Sequence, residues 1–423
     1  MLIEFSVKNF RSIKEKQTLS MVANTRDRSL EDHLIDTYTP SYSNTKLLKS
    51  AAIYGANASG KSNLYKAVDF MREFIVKSAT DIKPNQETGV VPFRLDSQTE
   101  NEPSEFEMHF IQKKIRYQYG FILDRKKVYE EWLVAYPTGL PQRWFTRKWN
   151  PEKNEYEWKF SNNLKGEKES LKQKTKDNSL FLSIAAQFNQ QQLTNVYDWF
   201  DEHLHAIDFL SSEYPLLAAM KITGINELHK MFMKDNLTNA DLGIVDINVQ
   251  HLRIEDVQFP PGTSDEWKEK MLIENKGKDI LKTDFFHSKS GSPDPVSLDL
   301  YDESTGTLKY FSLQGFCLAN LVCGCTLFID EMGTYLHPLL FRNVLMSINS
   351  NINLIGAQWI FTTYDTTQLN SDTLRRDQIW FTEKNDEGAT ILYPLTDFKP
   401  RVDESLQKRS EEHTSELQSR GLI

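Results

Sequence analysis

IYGANASGKSN, Ile53 to Asn63, has the composition of a phosphate cradle. Gly55-Ala-Asn-Ala-Ser-Gly60-Lys61-Ser62 meets every fixed position of the pattern G-x-x-x-x-G-K-[ST]. Each residue type answers a chemical need. Glycines let backbone N–H groups turn inward around phosphate, Lys61 reaches the β- and γ-phosphates, and the Ser62 hydroxyl holds Mg²⁺. Gly55, Asn57, Ser59, Gly60, Lys61, Ser62 and Asn63 are thus the expected nucleotide-binding residues. The flanks agree. SAAIYG is a short apolar strand, and the segment after the loop carries Leu64, Ala67, Val68, Met71, Phe74 and Ile75 at helical spacing. A helix starting near Ser62 directs its positive dipole end at the anion.

TLFIDE, Thr326 to Glu331, supplies the second half of such a site. A buried apolar strand ending in two carboxylates is costly unless something pairs them. Mg²⁺ is the natural partner of Asp330, and Glu331 is placed to orient and deprotonate an attacking water. HPLLFRNVLMSI follows, with Pro338 at the preferred first turn of a helix. IFTTYDT, Ile360 to Thr366, is an apolar strand with a polar end, where strands of an open sheet present ligand-contacting groups.

Outward from these motifs, residues 1–80 read as strand, hairpin, strand, loop and helix, with Ile3, Phe5 and Val7 on one face of the first strand. Residues 105–135 alternate as an antiparallel meander, turning at Asp124–Lys127. Residues 140–180 read as a charged surface hairpin. Basic residues interleaved with Trp144, Trp149 and Trp158 leave a nucleic-acid contact open there. Residues 180–285 read as largely helical, and 288–297 as loop. QIWFTEK and ATILYPL form a terminal hairpin around Asn385–Gly388. His203 and His205 lack a Cys or acidic partner set and read as a solvated helix end. Residues 409–419, RSEEHTSELQS, match the conceptual translation of a sequencing-library adapter, so the chain from about Arg409 is expected to be artefact and the natural C-terminus to be missing.

The length of 423 residues fits two domains, or one with a large insertion. The net charge of −9 shows no basic footprint, although a local basic groove survives an acidic average. Cys317, Cys323 and Cys325 cluster in one apolar run, with neither the number nor the spacing of a disulfide framework or zinc site. They read as small buried residues in a reducing cytoplasm. The most apolar run, Phe316 to Ile329, falls short of the ~20 residues of a membrane helix and reads as buried helix then buried strand, with no membrane association.

The order FSVKNFRSI, GANASGKSN, an acidic-Ser-x-Gly-Thr element, IDE…LHP and TT-x-D resembles ABC-class ATPases of the RecF/SMC type. It resembles more closely the bacterial AAA family ATP-binding proteins related to OLD and RloA-type proteins. The resemblance spans residues 1–135 and 290–400. It implies an α/β P-loop NTPase of ABC-ATPase type, with a mixed sheet, an antiparallel β-subdomain and an inserted helical arm. The implied domains are 1–135, an N-terminal ATPase lobe; 136–289, an inserted hairpin and helical arm; and 290–408, a C-terminal lobe. The implied cofactors are ATP and Mg²⁺, with Ser62 and Asp330 on the metal and Lys61 and Glu331 catalytic. DESTGT, Asp302 to Thr307, matches the ABC signature, whose Ser304 and Gly306 would cap ATP held by a second copy; by residue type alone it is a helix N-cap. Arg11 matches an arginine near bound nucleotide; the alternative is a surface arginine at a turn. Pro92–Asp96 is the candidate Q-loop.

Two positions depart from the family. Tyr364, a catalytic position, stands where relatives have a histidine on the γ-phosphate, and tyrosine carries no imidazole. MGTYLHP replaces Leu-Asp-Ala-Ser before Leu-His-Pro. The resemblance therefore implies an ATPase working as an ATP-sandwich dimer or higher oligomer, the sensor or scaffold of an anti-phage defence or DNA-maintenance system. A separate RloB/Toprim-like nuclease would be its effector, with DNA contact open. Two alternatives stand beside it: an OLD-type ATPase-nuclease truncated before its Toprim domain, and a slow or non-hydrolysing nucleotide-gated binding protein.

Overall fold

The computed structural model describes residues 1–40, 45–208, 214–253, 264–274, 279–300, 302–334, 336–369 and 371–397. The adapter-like segment 409–419 lies outside the described residues. Two compact units divide the chain: Met1–Leu210 with Cys323–Thr334 and Leu345–Ile423, and Ser211–Val322 with Tyr335–Val344.

The first unit holds two large sheets. One is built from β1 (Leu2–Lys8), β2 (Gln17–Ser20), β6 (Ser104–Gln112), β7 (Ile115–Leu123), β8 (Val128–Tyr136), β9 (Gln142–Asn150) and β10 (Glu155–Phe160), in the order β10-β9-β8-β7-β6-β1-β2, antiparallel throughout. A short pair, β3 (Leu34–Asp36) and β4 (Lys46–Leu48), forms a separate two-stranded sheet, bridged to the segment after β2 at Val22–Leu47. The other sheet contains β5 (Ser50–Gly55), β11 (Leu204–Asp208), β15 (Thr326–Asp330), β16 (Gln358–Thr362), β17 (Ile379–Lys384) and β18 (Thr390–Pro394), in the order β11-β15-β16-β5-β17-β18. Its first five strands are parallel, and β18 closes one edge antiparallel. As expected, segments from both ends of the sequence share one mixed sheet. Every residue of β15 and β16 is buried, which explains why they read as unbroken apolar runs.

α1 (Lys61–Lys77) binds the sheets together. Leu64, Ala67, Val68, Met71, Phe74 and Ile75 are buried in one core with Ile53, Phe328 and Ile360 of the parallel sheet and Phe106, Met108 and Phe121 of the antiparallel one. Phe70 and Phe74 stack with ring centroids 5.7 Å apart and continue onto Phe106 and Phe121. Gln358, fully buried, joins the sheets through polar groups: its amide donates to the carbonyls of Leu2 and Leu48, both at 3.1 Å, and its Oε1 accepts from the Leu2 N–H.

The meander runs past residue 136, where the inserted arm was expected to begin; β9 and β10 extend it, and residues to 210 belong to the first unit. α2 (Glu169–Lys174), α3 (Phe181–Gln187) and α4 (Gln191–Asp198) follow. The basic–aromatic pattern here is largely consumed by packing. Arg147 is fully buried, donates to the carbonyls of Ser179 (2.7 Å) and Lys176 (3.0 Å), and lies 4.0 Å from the Tyr156 ring centroid. Trp144 is buried, and Trp158 packs on Phe181. Glu131 of β8 accepts from the N–H groups of Phe181 (2.7 Å) and Leu182 (3.0 Å), satisfying the start of α3, and from the Tyr119 hydroxyl. Burial pushes its carboxyl up, against the opposing pull of Arg147 at 3.9 Å.

Residues 180–285 are largely helical, as expected, but the strands β11, β12 (Ile244–Arg253) and most of β13 (Asp279–His287) also lie there and did not stand out in the sequence. β11 is half-buried beyond Leu204, and its partner β15 is remote in sequence. β12 carries a register shift at Ile244/Asp246, which breaks the alternation and buries Ile244 and Ile247, three residues apart. The second unit holds an antiparallel sheet of β12, β13 and β14 (Val296–Asp299), together with α5 (Tyr214–Thr223), α6 (Glu227–Asn239), α7 (Asp265–Glu274) and most of α8 (Thr305–Cys323). Phe311 of α8 meets Phe285 of β13 edge-on at 5.4 Å, and Tyr310 donates to the Asn236 carbonyl at 3.3 Å. α9 (Pro338–Asn349) starts at its proline, as expected.

The cysteines depart from expectation. Cys323 is exposed and bonded to Cys325 as a disulfide at the α8–β15 junction, so only Cys317 is a free buried thiol. Two cysteines separated by a single residue suffice for this bridge, a local pairing that a search for a framework overlooks. No helix among the described residues is long and apolar enough to cross a membrane.

The buried Glu131 gives the first test. Glu131→Ala strands two α3 amides and leaves Arg147 without its carboxylate, so it should lower the unfolding free energy by about 3–5 kcal/mol, read by urea denaturation under tryptophan fluorescence.

Candidate functional site

Because β11, β15, β16 and β5 are parallel, their C-terminal ends share one edge of the sheet. Asp208, Asp330, Thr362 and Gly55 are the last residues of these strands. In register, Asp208 pairs with Asp330 and Thr362 with Ile53.

The loop leaves β5 at Gly55 and enters α1 through Gly60, which caps the helix with φ 111° and no side-chain hydrogen bond. Ala58 is also left-handed, at φ 63°, and Asn57 and Ala58 are exposed. The first-turn N–H groups thus lack a side-chain cap, the arrangement an anion fits. Lys61 Nζ donates to the Gly55 and Ala56 carbonyls at 2.6 and 3.0 Å. Burial lowers its pKa, and the nearby carboxylates of Asp330 and Glu331 pull the other way. Ser62 is half-buried, and its hydroxyl makes no hydrogen bond among the described residues. The Asn63 amide donates to Ser12 Oγ at 2.7 Å.

The terminal hairpin walls this loop. Thr390 Oγ1 donates to the Ser59 carbonyl (2.9 Å) and pairs with Ser12 Oγ (2.8 Å), while Ser59 Oγ pairs with Thr382 Oγ1 (2.7 Å). A Cβ at Gly55 would lie 2.4 Å from Thr382 Oγ1, and one at Gly60 2.0 Å from Thr390 Oγ1. Both glycines are required by close approach, not only by conformation. Ser12, Thr382 and Thr390 are supports that sequence reasoning missed. Their residue types are common, and Ser12 alone had a signal, as the neighbour of Arg11.

Asp330, 8% exposed, accepts from the Thr362 hydroxyl through Oδ1. The same hydroxyl accepts the Glu331 N–H at 2.8 Å, and the Thr362 carbonyl accepts the Met332 N–H at 2.9 Å. Glu331 is left-handed, with φ 55°. Tyr364, 54% exposed, donates to Thr334 Oγ1 at 3.1 Å. Asp330 and Ser62 offer a carboxylate and a hydroxyl oxygen, the hard donor set that suits Mg²⁺ with phosphate oxygens completing its shell. The residues present therefore fit the ion.

Arg11 is exposed and left-handed, with its guanidinium carbon 5.6 Å from the Phe10 ring centroid. Within Pro92–Asp96, Phe93 is buried with its N–H on Asn9 Oδ1, and Asp96 pairs with Lys14 at 2.8 Å. The residue in register beside Asp330 is Asp208, which sequence reasoning did not single out. Ser304 and Gly306 belong to the second unit. There Ser304 Oγ accepts the Thr307 N–H at 3.1 Å, so it does cap α8. His205 Nε2 pairs with the Glu202 carbonyl at 3.1 Å, and burial lowers the pKa of both His203 and His205.

A glycine cradle between a parallel strand and a helix, with an acidic strand end beside it, defines an α/β P-loop NTPase. Residues 50–367 match the family described as "AAA domain, putative AbiEii toxin, Type IV TA system", and the chain belongs to this family. Two solved structures are similar in fold. The SMC head domain from Thermotoga maritima has a TM-score of 0.42 at 12% identity, covering 93% of this chain and 98% of that one. An SMC head bound to the C-winged-helix domain of ScpA has a TM-score of 0.40 at 12% identity, covering 93% and 96%. No curated protein matches the sequence.

The walled cradle gives a second test. Gly60→Ala should weaken ATP-analogue binding at least tenfold in titration calorimetry. Adding Thr390→Ala should restore only part of it, because the left-handed backbone alone costs about 1–3 kcal/mol.

Proposed function

We propose that this chain binds ATP with Mg²⁺ and hydrolyses it as an ABC-type ATPase, acting as a nucleotide-dependent dimer or higher oligomer. The observation that carries the reading is the shared strand edge, where the Thr362 hydroxyl ties Asp330 and Glu331 together within electrostatic reach of Lys61. The loop N–H groups and the α1 terminus bind the phosphates. Lys61 exchanges the Gly55 and Ala56 carbonyls for phosphate oxygens, regaining the charge partners that burial denies it. Ser62 and Asp330 would hold Mg²⁺, which supplies neutralisation of the β- and γ-phosphate charge when bound. Glu331 orients the attacking water and takes its proton. Ser304 and Gly306 complete the site of a second copy.

The reading extends to a sensor or scaffold in anti-phage defence or DNA maintenance, with a separate nuclease as effector. The family description names a toxin of a type IV toxin–antitoxin system, which accords better with defence. A second reading, a slow or non-hydrolysing nucleotide gate, is favoured by Tyr364, whose hydroxyl is engaged by Thr334 and which has no imidazole. Tyr364→His separates the two: a rise in phosphate release identifies position 364 as the brake.

Glu331→Gln should retain ATP binding, lower phosphate release by about 10²–10⁴-fold, and accumulate an ATP-bound oligomer in light scattering. Unchanged turnover and assembly would overturn the two-site ATPase.

A further inference from the structure

The turn after Asp330 is held from both sides. Glu331 occupies a left-handed conformation unusual for its residue type, at φ 55°. Such backbone persists only where its surroundings over-determine it. On one side, its N–H is bound to Thr362 Oγ1 at 2.8 Å. On the other, its carbonyl accepts both the hydroxyl and the N–H of Thr334, at 2.9 and 3.4 Å. The Thr334 hydroxyl spends its proton on that carbonyl, so it meets Tyr364 as an acceptor, at 3.1 Å. Tyr364 lies two residues beyond Thr362. The contacts close a ring: Glu331 to Thr362, along the chain to Tyr364, across to Thr334 and back to Glu331.

We propose that Thr334 and Tyr364 act as one latch that positions Glu331, so that Tyr364 influences turnover through Thr334 rather than by touching phosphate. The inference rests on the ATPase reading for its effect on turnover, but the latch itself exists without nucleotide. It also gives a use to both departures from the family pattern. Thr334 belongs to the altered segment after Glu331, and Tyr364 replaces the histidine. The two unusual residues are partners, and the tyrosine's longer reach supplies a donor where the threonine offers its lone pair.

The test is a double-mutant cycle on the full chain with Thr334→Val, Tyr364→Phe and both together. Each single variant should lower kcat about tenfold, the worth of one hydrogen bond, with KM nearly unchanged. The double variant should be no slower than the slower single one. Thr334→Ser, which keeps the hydroxyl, should retain turnover. Amide hydrogen exchange of residues 331–334, measured without nucleotide, should quicken in Thr334→Val and Tyr364→Phe alike. Losses that multiply in the double variant, or exchange that stays unchanged in both singles, would overturn the latch. If the parent chain binds ATP yet releases no phosphate, the ATPase reading falls, and the exchange measurement still decides the latch by itself.

Discussion

The cradle and the carboxylates meet because β16 pairs in parallel with β15 on one side and β5 on the other. Its register sets Phe361 against Ile329 and Thr362 against Ile53. That places one hydroxyl, at the end of one strand, where it donates to Asp330 and accepts from Glu331. A slip of one residue would turn Thr362 to the opposite face of the sheet. Asp330 would then be buried without a donor, and the Glu331 amide without an acceptor, each at the desolvation cost of an unpaired polar group. Gln358, at the other end of the same strand, resists that slip because its amide is committed to Leu2 and Leu48.

The second dependence is steric. The phosphate loop is pressed against the terminal hairpin so closely that its two outer glycines have no space for a methyl group. The hydroxyls of Ser12, Thr382 and Thr390 pin the Ser59 segment, so the loop is shaped by strands on its flank as much as by its own sequence. Such preorganisation removes part of the ordering cost that a flexible loop would carry on binding an anion.

Much of this site was legible in the sequence, for a definite reason. Gly55 to Ser62 and Asp330–Glu331 are contiguous, and their chemistry depends on backbone turns and a strand end that local pattern reveals. Thr334, Ser12, Thr382 and Thr390 were not legible as site residues, and Thr362 only as part of the polar end of IFTTYDT. Their roles come largely from contacts between segments remote in sequence, and serine and threonine are ordinary residues in strands and turns. In the fold, the meander announced itself by alternation, whereas β12 concealed itself by a shift in register. Arg147 misled in the opposite direction: a basic residue among tryptophans invited a nucleic-acid reading, but its guanidinium serves buried carbonyls. The Cys323–Cys325 bridge was missed because it joins near neighbours and crosses no loop.

The hairpin that walls the loop has a consequence for the order of synthesis. Ser59 and Thr390 are bonded across 331 positions, and Ser12 and Thr390 across 378. A nascent chain displays the whole loop motif early, with Lys61 already present, yet lacks the wall that shapes it. At about 5–20 residues per second, the interval before residue 390 emerges lasts many seconds. Throughout it the growing polypeptide carries the motif without a competent cradle. On the ATPase reading proposed above, nucleotide would then meet a finished sheet and not a folding intermediate.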